Sequence, residues 1–490
     1  METTRQTARD MAVMESNALA LGVSIDNLME NAGRAVAEEV VRHLPQGSAR
    51  VAVLAGTGNN GGDGTCAAFY LAQWGYAPEV WIVRAPAEIR SAPARRCYDR
   101  IAHRAPVHFG VPTPGELSGF PLALDALLGT GQSGELRPPY SVAVGSLRES
   151  GVPVLSVDVP SGLGAANAVR PRWTVTLTCL KVGMEPENSG EVVVRDIGIP
   201  RAAMTEAGPG EFHLFPLPPP TGRVGRVVVV GGGPYAGAPA LTALAALRAG
   251  AERATVICPV SVAAQVQSFS PALVVFGVGS DRLKPESLPA VQRFLAENRH
   301  DALALGMGAG RAPSTVAALT ELLRSLPPST PVLVDADGLE AALAARPGAE
   351  PARPWVLTPN SGELLRLTRL PGPATTEERR SAAERLAREN GLTVLAKGDP
   401  DEIADLDRSY VNRHHHPSGT VAGVGDLLSG VVAALLAQGL DPLSAARLGA
   451  YWVGDAGLRV FERKSYGLIA TDILEELPSS LAEGLARIRS

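Results

Sequence analysis

The sequence lacks the features that mark partners such as nucleic acids and membranes. Lysine and arginine total 45 against 50 aspartate and glutamate residues, which gives a formal net charge of −5 and no basic field for nucleic acid or an anionic lipid surface. No run of about 18 apolar residues is present, and the N-terminus has no apolar signal core. These absences predict a soluble, cytoplasmic protein that binds small molecules and has neither a nucleic-acid nor a membrane partner.

Cysteine is scarce as well. The four cysteines, Cys66, Cys97, Cys179 and Cys258, are scattered, and no two of them form a Cys-x-x-Cys pair. This spacing predicts neither a zinc site nor a disulfide framework and fits a reducing compartment. Cys66 follows a glycine-rich turn, where a helix dipole can activate a thiol, but an inert buried thiol is the favoured interpretation.

A proline-rich segment divides the sequence into two parts. At about 150 residues per domain, 490 residues predict more than one domain. Residues 214–223 contain four prolines and are predicted to link a domain of residues 1–213 to one of residues 224–490. On both sides, short β-branched runs alternate with helical stretches rich in alanine and leucine, which indicates two α/β domains with parallel sheets covered by helices.

The strands predicted for the first domain are Val51–Leu54, Val80–Val83, Leu122–Ala126 and Val154–Val157. Those predicted for the second are Val227–Val230, Ala254–Ile257, Ala302–Leu305, Val332–Val334, Trp355–Leu357 and Val394–Leu395.

Two glycine-rich junctions between a strand and a helix are candidate anion sites. Gly56–Gly64 follows an apolar strand and precedes a predicted helix over Thr65–Trp74. Ala422–Asp426 opens the apolar helix Leu427–Gln438. Glycines let backbone amides approach an anion, and the helix N-terminus adds unpaired N–H donors. Because each junction has an acidic residue in or beside it, the sequence indicates two activities.

Three segments of the first domain place polar residues after strands. They are the glycine-rich junction, Leu124–Gly131 and Ser156–Gly162. Because ligands of open parallel sheets bind at the carboxyl ends of the strands, these residues are expected to converge. Asn60, Asp125 and Ser161 offer hard oxygen ligands, which suit a hard cation better than zinc or iron. Asp158 remains as a candidate acid or base.

The first domain resembles the NAD(P)HX epimerases of the YjeF N-terminal type over roughly residues 10–212. The motifs that carry the resemblance are Leu28–Ala35, Gly56–Gly64, Asp125–Gly131, Val157–Gly162 and Asp196–Pro200. It implies a Rossmann-like three-layer αβα fold, a homo-oligomer, and interconversion of the R and S epimers of NADHX and NADPHX, which are nicotinamide cofactors hydrated at the ring. Asp158 is then catalytic, and Asn60, Asp125 and Ser161 surround a potassium ion. The implied substrate-binding residues are Asn59, Asn60, Gly61, Gly62, Asp63, Gly129, Thr130, Gly131, Gln132, Ser133, Gly134 and Glu135.

The second domain resembles the ribokinase-like ADP/ATP-dependent NAD(P)HX dehydratases. The matching motifs are Gly231–Leu241, Gly306–Gly310, Val334–Gly338, Lys397–Gly398 and Gly423–Asp426. The resemblance implies a ribokinase-like αβα fold and dehydration of S-NAD(P)HX to NAD(P)H, with Mg²⁺ and consumption of ADP or ATP. Asp426 would be the catalytic base. The implied substrate-binding residues are Ala238, Gly310, Asn360 and Asp426, and the implied nucleotide-binding residues are Lys397, Gly398 and Gly425.

The second domain departs from the family pattern at three places. Ala422–Asp426 replaces Gly-Gly-Thr-Gly-Asp, Asn360 replaces the histidine of Thr-Pro-His, and His414–His416 replaces a stretch rich in glycine and asparagine. Adjacent side chains on an extended segment alternate in direction, so a loop exposed to solvent or at the edge of the ligand is favoured over a metal site for the three histidines. Two alternatives stay open: a kinase of a small hydroxymethyl compound, or a module that binds nicotinamide nucleotides with a degenerate dehydratase site.

Overall fold

The computed structural model describes residues 5–44, 50–132, 134–217, 222, 224–279, 281–345, 352–417 and 421–488. The chain forms two compact units, Met1–Met204 and Thr205–Ser490. The structure therefore places residues 205–213, predicted to end the first domain, in the second unit. There Phe212 packs edge-on against Tyr451, and Glu211 forms an ion pair with Arg447. Half of the predicted linker, residues 218–221 and 223, lies outside the described residues.

The first unit contains a parallel sheet in the order β3-β2-β1-β4-β5-β6-β7. Its strands are β1 (Arg50–Ala55), β2 (Ala77–Ile82), β3 (Val107–Phe109), β4 (Ala123–Ala126), β5 (Val154–Val157), β6 (Trp173–Leu177) and β7 (Glu191–Arg195). Its helices are α1 (Ala8–Ala20), α2 (Ile25–His43), α3 (Asn59–Gln73), α4 (Ala92–Ala102), α5 (Pro114–Leu117), α6 (Tyr140–Ser150), α7 (Pro186–Ser189) and α8 (Arg201–Thr205), which ends at the boundary.

Strand β1 shows how this sheet is buried on both faces. Val51 and Val53 belong to one apolar core, whereas Ala52 and Leu54 belong to another. Successive side chains of a strand point to opposite faces, so the two cores lie on opposite sides of the sheet. The continuous apolar run of β1 is therefore required by the three-layer αβα arrangement, and the predicted α/β class is confirmed.

The second unit contains a larger sheet in the order β10-β9-β8-β11-β12-β13-β14-β15-β16, parallel up to β14 and antiparallel in its last two pairs. Its strands are β8 (Arg226–Val230), β9 (Arg253–Pro259), β10 (Val274–Val278), β11 (Ala302–Leu305), β12 (Val332–Val334), β13 (Trp355–Leu357), β14 (Thr393–Ala396), β15 (Asp401–Ala404) and β16 (Ser409–Asn412). Its helices are α9 (Gly237–Arg248), α10 (Val260–Ser268), α11 (Leu288–Glu297), α12 (Pro313–Ser325), α13 (Leu339–Ala345), α14 (Ser361–Thr368), α15 (Thr376–Asn390), α16 (Val424–Ala437), α17 (Pro442–Lys464) and α18 (Ala470–Arg487).

Both sheets have a point where the strand order reverses, between β1 and β4 in the first unit and between β8 and β11 in the second. Ligands of doubly wound sheets bind beyond the carboxyl ends of the strands at such points. None of the helices in the described part of the chain combines the length and hydropathy that a transmembrane span requires.

Candidate active sites

The glycine-rich junction of the first unit is helical rather than a loop. Helix α3 begins at Asn59, so the predicted start at Thr65 is wrong. The glycines are needed for close packing: a Cβ on Gly61 would lie 2.0 Å from the carbonyl oxygen of Gly56, and one on Gly64 would lie 2.3 Å from the Cβ of Ala126. The first turn of α3 therefore lies directly on the ends of β1 and β4, with its N-terminal amides toward the switch point.

Of the three residues predicted to hold a cation, Asn60 lies in this turn, and Asp125 lies on β4, where it is hydrogen-bonded to Ser161. The Asp125 carboxylate is fully buried and accepts hydrogen bonds from the Ser161 hydroxyl (2.6 Å), the Ser161 amide (2.9 Å) and the Ser156 hydroxyl (2.8 Å). Burial raises the pKa of Asp125 despite these hydrogen bonds. The side chain of Asn60 is buried, and neither its amide oxygen nor its amide nitrogen has a hydrogen-bond partner. A buried amide oxygen without a partner, on a turn that packs against the strand carrying a buried carboxylate, is a suitable setting for a hard cation.

Asp158 follows β5 and is held in place by Lys181, which sequence reasoning missed. Lys181 is almost fully buried and forms an ion pair with the Asp158 carboxylate. Its ammonium group also donates to the Thr176 hydroxyl (2.9 Å) and the Leu177 carbonyl oxygen (2.6 Å). The Leu177 amide donates to the same oxygen of Asp158 (3.2 Å). Asp158 itself has a φ of 66°, so the turn after β5 turns the carboxylate toward the ends of β5 and β6.

Asp63, predicted only to bind substrate, is the second acid of this site. It is buried on α3, and its pKa is raised well above the ordinary value, chiefly by burial and then by the negative charge of Asp158. The environments of the two carboxyl groups therefore differ: burial favours the protonated form of Asp63, while Asp158 is paired with an ammonium group. Two carboxyl groups in such different environments are typical of an acid and a base in an active site.

The predicted substrate loop, residues 129–135, leaves the sheet next to the cation site. A Cβ on Gly129 would lie 3.3 Å from that of Asn60. Further along, the Glu135 carboxylate accepts a hydrogen bond from the Ala166 amide (3.3 Å). Thr130, Gly131, Gln132 and Gly134 are partly or fully exposed, and Ser133 lies outside the described residues.

In the second unit the buried carboxylate of Asp335 organises the strand ends. It follows β12 and accepts from the Lys397 ammonium group (2.7 Å) and the Ser429 hydroxyl (2.8 Å). Asp426, in the first turn of α16, is half-buried, and burial together with the nearby charge of Asp335 raises its pKa to about 7. Asp426 is thus a base of the right strength at neutral pH.

The start of α16 provides backbone donors beside this acid. Helix α16 begins at Val424, earlier than predicted, so Gly425 and Asp426 belong to its first turn. The N-cap residue is Gly423, with a φ of 96° and no side chain to cap the helix. Unlike a serine or threonine cap, it leaves the first-turn N–H groups available to an anion.

The two other predicted substrate residues are Gly310, in the turn after β11, and Ala238, in the first turn of α9. The Gly310 amide donates to the Asp337 carboxylate (2.8 Å). A Cβ on Gly308 in the same turn would lie 3.3 Å from the Cβ of Ala238, in the first turn of α9. On α9 the Thr242 hydroxyl donates to the Asp426 carbonyl oxygen (3.1 Å), which connects this loop region to the start of α16.

A cavity of about 560 Å³ lies on the other side of the α16 start. Asn360 and all three predicted nucleotide residues, Lys397, Gly398 and Gly425, line it. Its size is that of a pocket for a nucleotide-sized ligand. Asn360 also caps α14, because its side-chain oxygen accepts from the Glu363 amide (2.9 Å).

The three successive histidines face different neighbours. His414 stacks on Tyr451 at 4.4 Å, and His416 stacks on Phe461 at 3.8 Å. His415 lies 3.7 Å from the Asp399 carboxylate and, with His416, lines the cavity. His415 and His416 therefore form part of the edge of the pocket, and the three histidines do not converge on one ion.

Comparisons with known proteins cover both units. The family model described as NAD(P)H-hydrate dehydratase matches residues 227–479, and that of the YjeF-related protein N-terminus matches residues 25–183. The bifunctional NAD(P)H-hydrate repair enzyme Nnr of Hyperthermus butylicus is 37% identical over 504 residues, covering 97% of this chain and 92% of the relative. The protein of the same name from Archaeoglobus fulgidus is 36% identical over 487 residues, covering 97% and 98%. Among solved structures, the ADP/ATP-dependent NAD(P)H-hydrate dehydratase from Bacillus subtilis matches 56% of this chain and 97% of its own at 22% identity and a TM-score of 0.47.

Proposed function

This chain belongs to the family of bifunctional NAD(P)H-hydrate repair enzymes, and we propose that the two clusters described above carry its two reactions. The enzyme interconverts the R and S epimers of NAD(P)HX and dehydrates the S epimer to NAD(P)H. The epimerase assignment is supported by the Asp158–Lys181 ion pair and by the nearby buried Asp63, whose pKa is raised by burial and by the charge of Asp158. The dehydratase assignment is supported by Asp426 at the open N-terminus of α16.

Epimerisation requires one group that accepts a proton and one that donates it, because a bond at the hydrated ring carbon must open and close again. Asp158 is the base, since it is paired with the Lys181 ammonium group. Asp63 is the acid, since burial and the charge of Asp158 raise its pKa. The amides at the start of α3 and the loop after Gly129 hold the phosphates and ribose of the dinucleotide, which fixes the ring relative to the two acids.

Potassium fits the site formed by Asn60, Asp125 and Ser161. The donors are an amide oxygen without a partner, a buried carboxylate and a hydroxyl, all of them hard oxygen ligands. A bound cation would compensate the buried charge of Asp125 and hold the first turn of α3 against β4. It would contribute positive charge to the phosphate-binding turn rather than take part in proton transfer.

Replacing Asn60 with alanine is expected to remove the stabilisation of the first unit by K⁺. In the wild-type protein, K⁺ at a hundred times its Kd should stabilise the folded state by about 2.7 kcal/mol. The measurement is calorimetric melting in KCl and in tetramethylammonium chloride of equal ionic strength. Asn59→Ala is the matched control, because Asn59 precedes Asn60 on α3 but is exposed. An equal K⁺ shift in Asn60→Ala and the wild type would place the ion elsewhere.

Dehydration proceeds through transfer of a phosphoryl group to the ring hydroxyl. Asp426 takes the proton of the S-epimer hydroxyl, and the hydroxyl oxygen attacks the terminal phosphorus of the nucleotide. The amides of Gly425 and Asp426 stabilise the charge that develops on the transferring group. The lone pair of the ring nitrogen then expels phosphate, and loss of a proton from the adjacent ring carbon gives the dihydropyridine.

The cavity lined by Lys397, Gly398 and Gly425 is the proposed site for ADP or ATP. Lys397 lies where this cavity meets the start of α16, since a Cβ on Gly425 would be 3.2 Å from the Lys397 ammonium nitrogen. Both oxygens of Asp335 already accept hydrogen bonds, from Lys397 and Ser429. Mg²⁺ is therefore expected to be carried mainly by the nucleotide phosphates, where it neutralises charge.

The family membership and the intact Asp426 site favour this function over both alternatives, the small-molecule kinase and the degenerate binding module. The test uses an equimolar mixture of R- and S-NADHX with Mg²⁺, K⁺ and either ADP or ATP, and NADH absorbance is read at completion. Conversion of the whole mixture is expected, because the first unit returns R to S as S is consumed. Conversion of the S half alone would show that the first unit does not epimerise the substrate. Equilibration of the epimers without NADH would support the degenerate-module alternative.

A further inference from the structure

A pair of cysteines lies outside both active sites, between two helices of the first unit. Cys66 is on α3 and Cys97 is on α4, and both are buried. Their sulfur atoms and a carboxylate oxygen of Glu30 all lie within 4.8 Å of one another. The proposed mechanism uses neither thiol, and the sequence gives no sign of the pair because the two residues are far apart in the chain.

The surroundings of the pair favour a thiolate over a bound cation. One carboxylate oxygen of Glu30 is in an ion pair with Arg100, and the other accepts from the Tyr70 hydroxyl (2.7 Å). A metal ion between the sulfur atoms would therefore have to displace existing partners of Glu30 and would face the positive charge of Arg100. The same guanidinium favours negative charge on the Cys97 sulfur, whereas the Glu30 carboxylate opposes it.

The two thiols are not equivalent. The Cys66 thiol donates to the Glu30 carboxylate (3.6 Å), which favours its protonated form. The neighbouring Cys66 thiol lowers the pKa of Cys97 against burial and the Glu30 charge, which raise it, and Arg100 also lowers it. Cys97 is thus the nucleophile of the pair, and Cys66 is the protonated partner beside it.

We propose that Cys66 and Cys97 are an oxidative modification site, at which a hydroperoxide converts the two thiols into a disulfide between α3 and α4. The Cys97 thiolate attacks the peroxide oxygen, the O–O bond breaks, and Cys97 becomes a sulfenic acid while hydroxide leaves. The Cys66 sulfur then attacks the Cys97 sulfur and displaces hydroxide, which takes up the Cys66 proton. In total, two thiols and one hydrogen peroxide give one disulfide and two waters.

The disulfide would act on the epimerase site through α3. Cys66 lies one turn after Asp63 on this helix. Helix α4 packs against the same first turns, since a Cβ on Gly62 would lie 2.8 Å from the Cβ of Ala94. Drawing the two sulfur atoms to bonding distance must shift one helix against the other at a contact with no free space. Oxidation is therefore expected to slow epimerisation and leave dehydration unchanged.

The test follows thiols and disulfides directly, so that it does not depend on the proposed function. The full-length protein is treated with hydrogen peroxide, and free thiols are counted before and after. We expect a fall from four thiols to two, a mass lower by two hydrogen atoms, and a crosslinked peptide pair containing Cys66 and Cys97. Cys97→Ala should abolish the crosslink, whereas Cys66→Ala should leave a sulfenic acid on Cys97 that dimedone traps. Cys258→Ala, which removes a buried thiol of the second unit, should not alter the crosslink.

The proposal would be overturned if all four thiols remained at a peroxide concentration that oxidises a free cysteine peptide. A crosslink through Cys179 or Cys258 would also overturn it. Stoichiometric zinc that is retained by the wild type and lost in Cys97→Ala would overturn it in favour of a metal site. Unchanged epimerisation by the fully crosslinked protein would overturn the coupling to the active site. Slower epimerisation that dithiothreitol restores, with dehydration as the internal control, would support that coupling.

Discussion

Replacing Asp426 with asparagine is expected to abolish NAD(P)H formation while the R and S epimers continue to equilibrate at the wild-type rate. Asparagine keeps the size of the side chain but cannot take a proton from the ring hydroxyl. Loss of a general base typically reduces a rate about 100- to 10,000-fold. The Gly425 amide and the Lys397 network do not involve the Asp426 side chain, so binding of the nucleotide should persist.

The pH dependence provides a second readout of the same role. Burial and the charge of Asp335 raise the pKa of Asp426 to about 7, so the base is increasingly protonated, and inactive, as the pH falls below that value. The kcat/KM of the wild-type dehydratase should therefore fall about tenfold per pH unit below pH 7. The residual rate of the variant should not show this decrease.

A matched control for Asp426→Asn is available on the following helix. Asp441 is the N-cap of α17 and accepts from the Ser444 amide (3.1 Å). Because asparagine caps helices as well as aspartate does, Asp441→Asn should keep both activities and the melting temperature. If Asp426→Asn retained more than a tenth of the wild-type rate, the base would have to be another group, and Asp335 would be the next candidate.

Individual strands show where the sequence predicts the structure and where it does not. Strands β1, β4 and β5 were predicted from apolar runs, and the polar residues after them, including Asp125 and Asp158, lie together in the structure. Strand β6 was not predicted, because its threonines make it look half-exposed. Thr174 and Thr176 are in fact fully buried, with their hydroxyls donating to carbonyl oxygens (2.6 and 3.1 Å). Missing β6 meant missing Lys181, the charged residue that follows it.

The start of α3 shows a different limit of sequence patterns. Gly61, Gly62 and Gly64 predict a loop, because glycine is a poor helix former. The structure makes them helical, since only residues without a Cβ allow α3 to approach Gly56 and Ala126 so closely. Whether glycine in a helix or a clashing Cβ costs more free energy depends on tertiary packing, and no local pattern encodes that packing. The Cys66–Cys97 pair was invisible for the same reason, because its members meet only through helix packing.

Replacing Asp158 with asparagine is expected to stop epimerisation, reducing its rate about 100- to 10,000-fold, and to leave dehydration of pure S-NADHX unchanged. The backbone should tolerate the change, although the buried Lys181 ammonium loses its counter-charge and the first unit should lose some stability. Asp158 has a φ of 66°, and asparagine is among the side chains most often found in that region. The amide can still accept from the Leu177 amide, so the variant removes the charge and the basicity with little effect on the turn after β5.

Replacing Lys181 with methionine is the complementary test, because it leaves Asp158 in place and removes its partner. Without the ammonium group, the Asp158 carboxylate is left largely buried and without its charged partner. Epimerisation should then slow, and the first unit should lose about 3 kcal/mol, the lower end for a broken buried pair, since Asp158 keeps some contact with solvent. The matched control is Asp99→Asn, which breaks the exposed pair with Arg95 and should cost at most about 0.5 kcal/mol. If Lys181→Met lowered stability without slowing epimerisation, Lys181 would serve the fold alone.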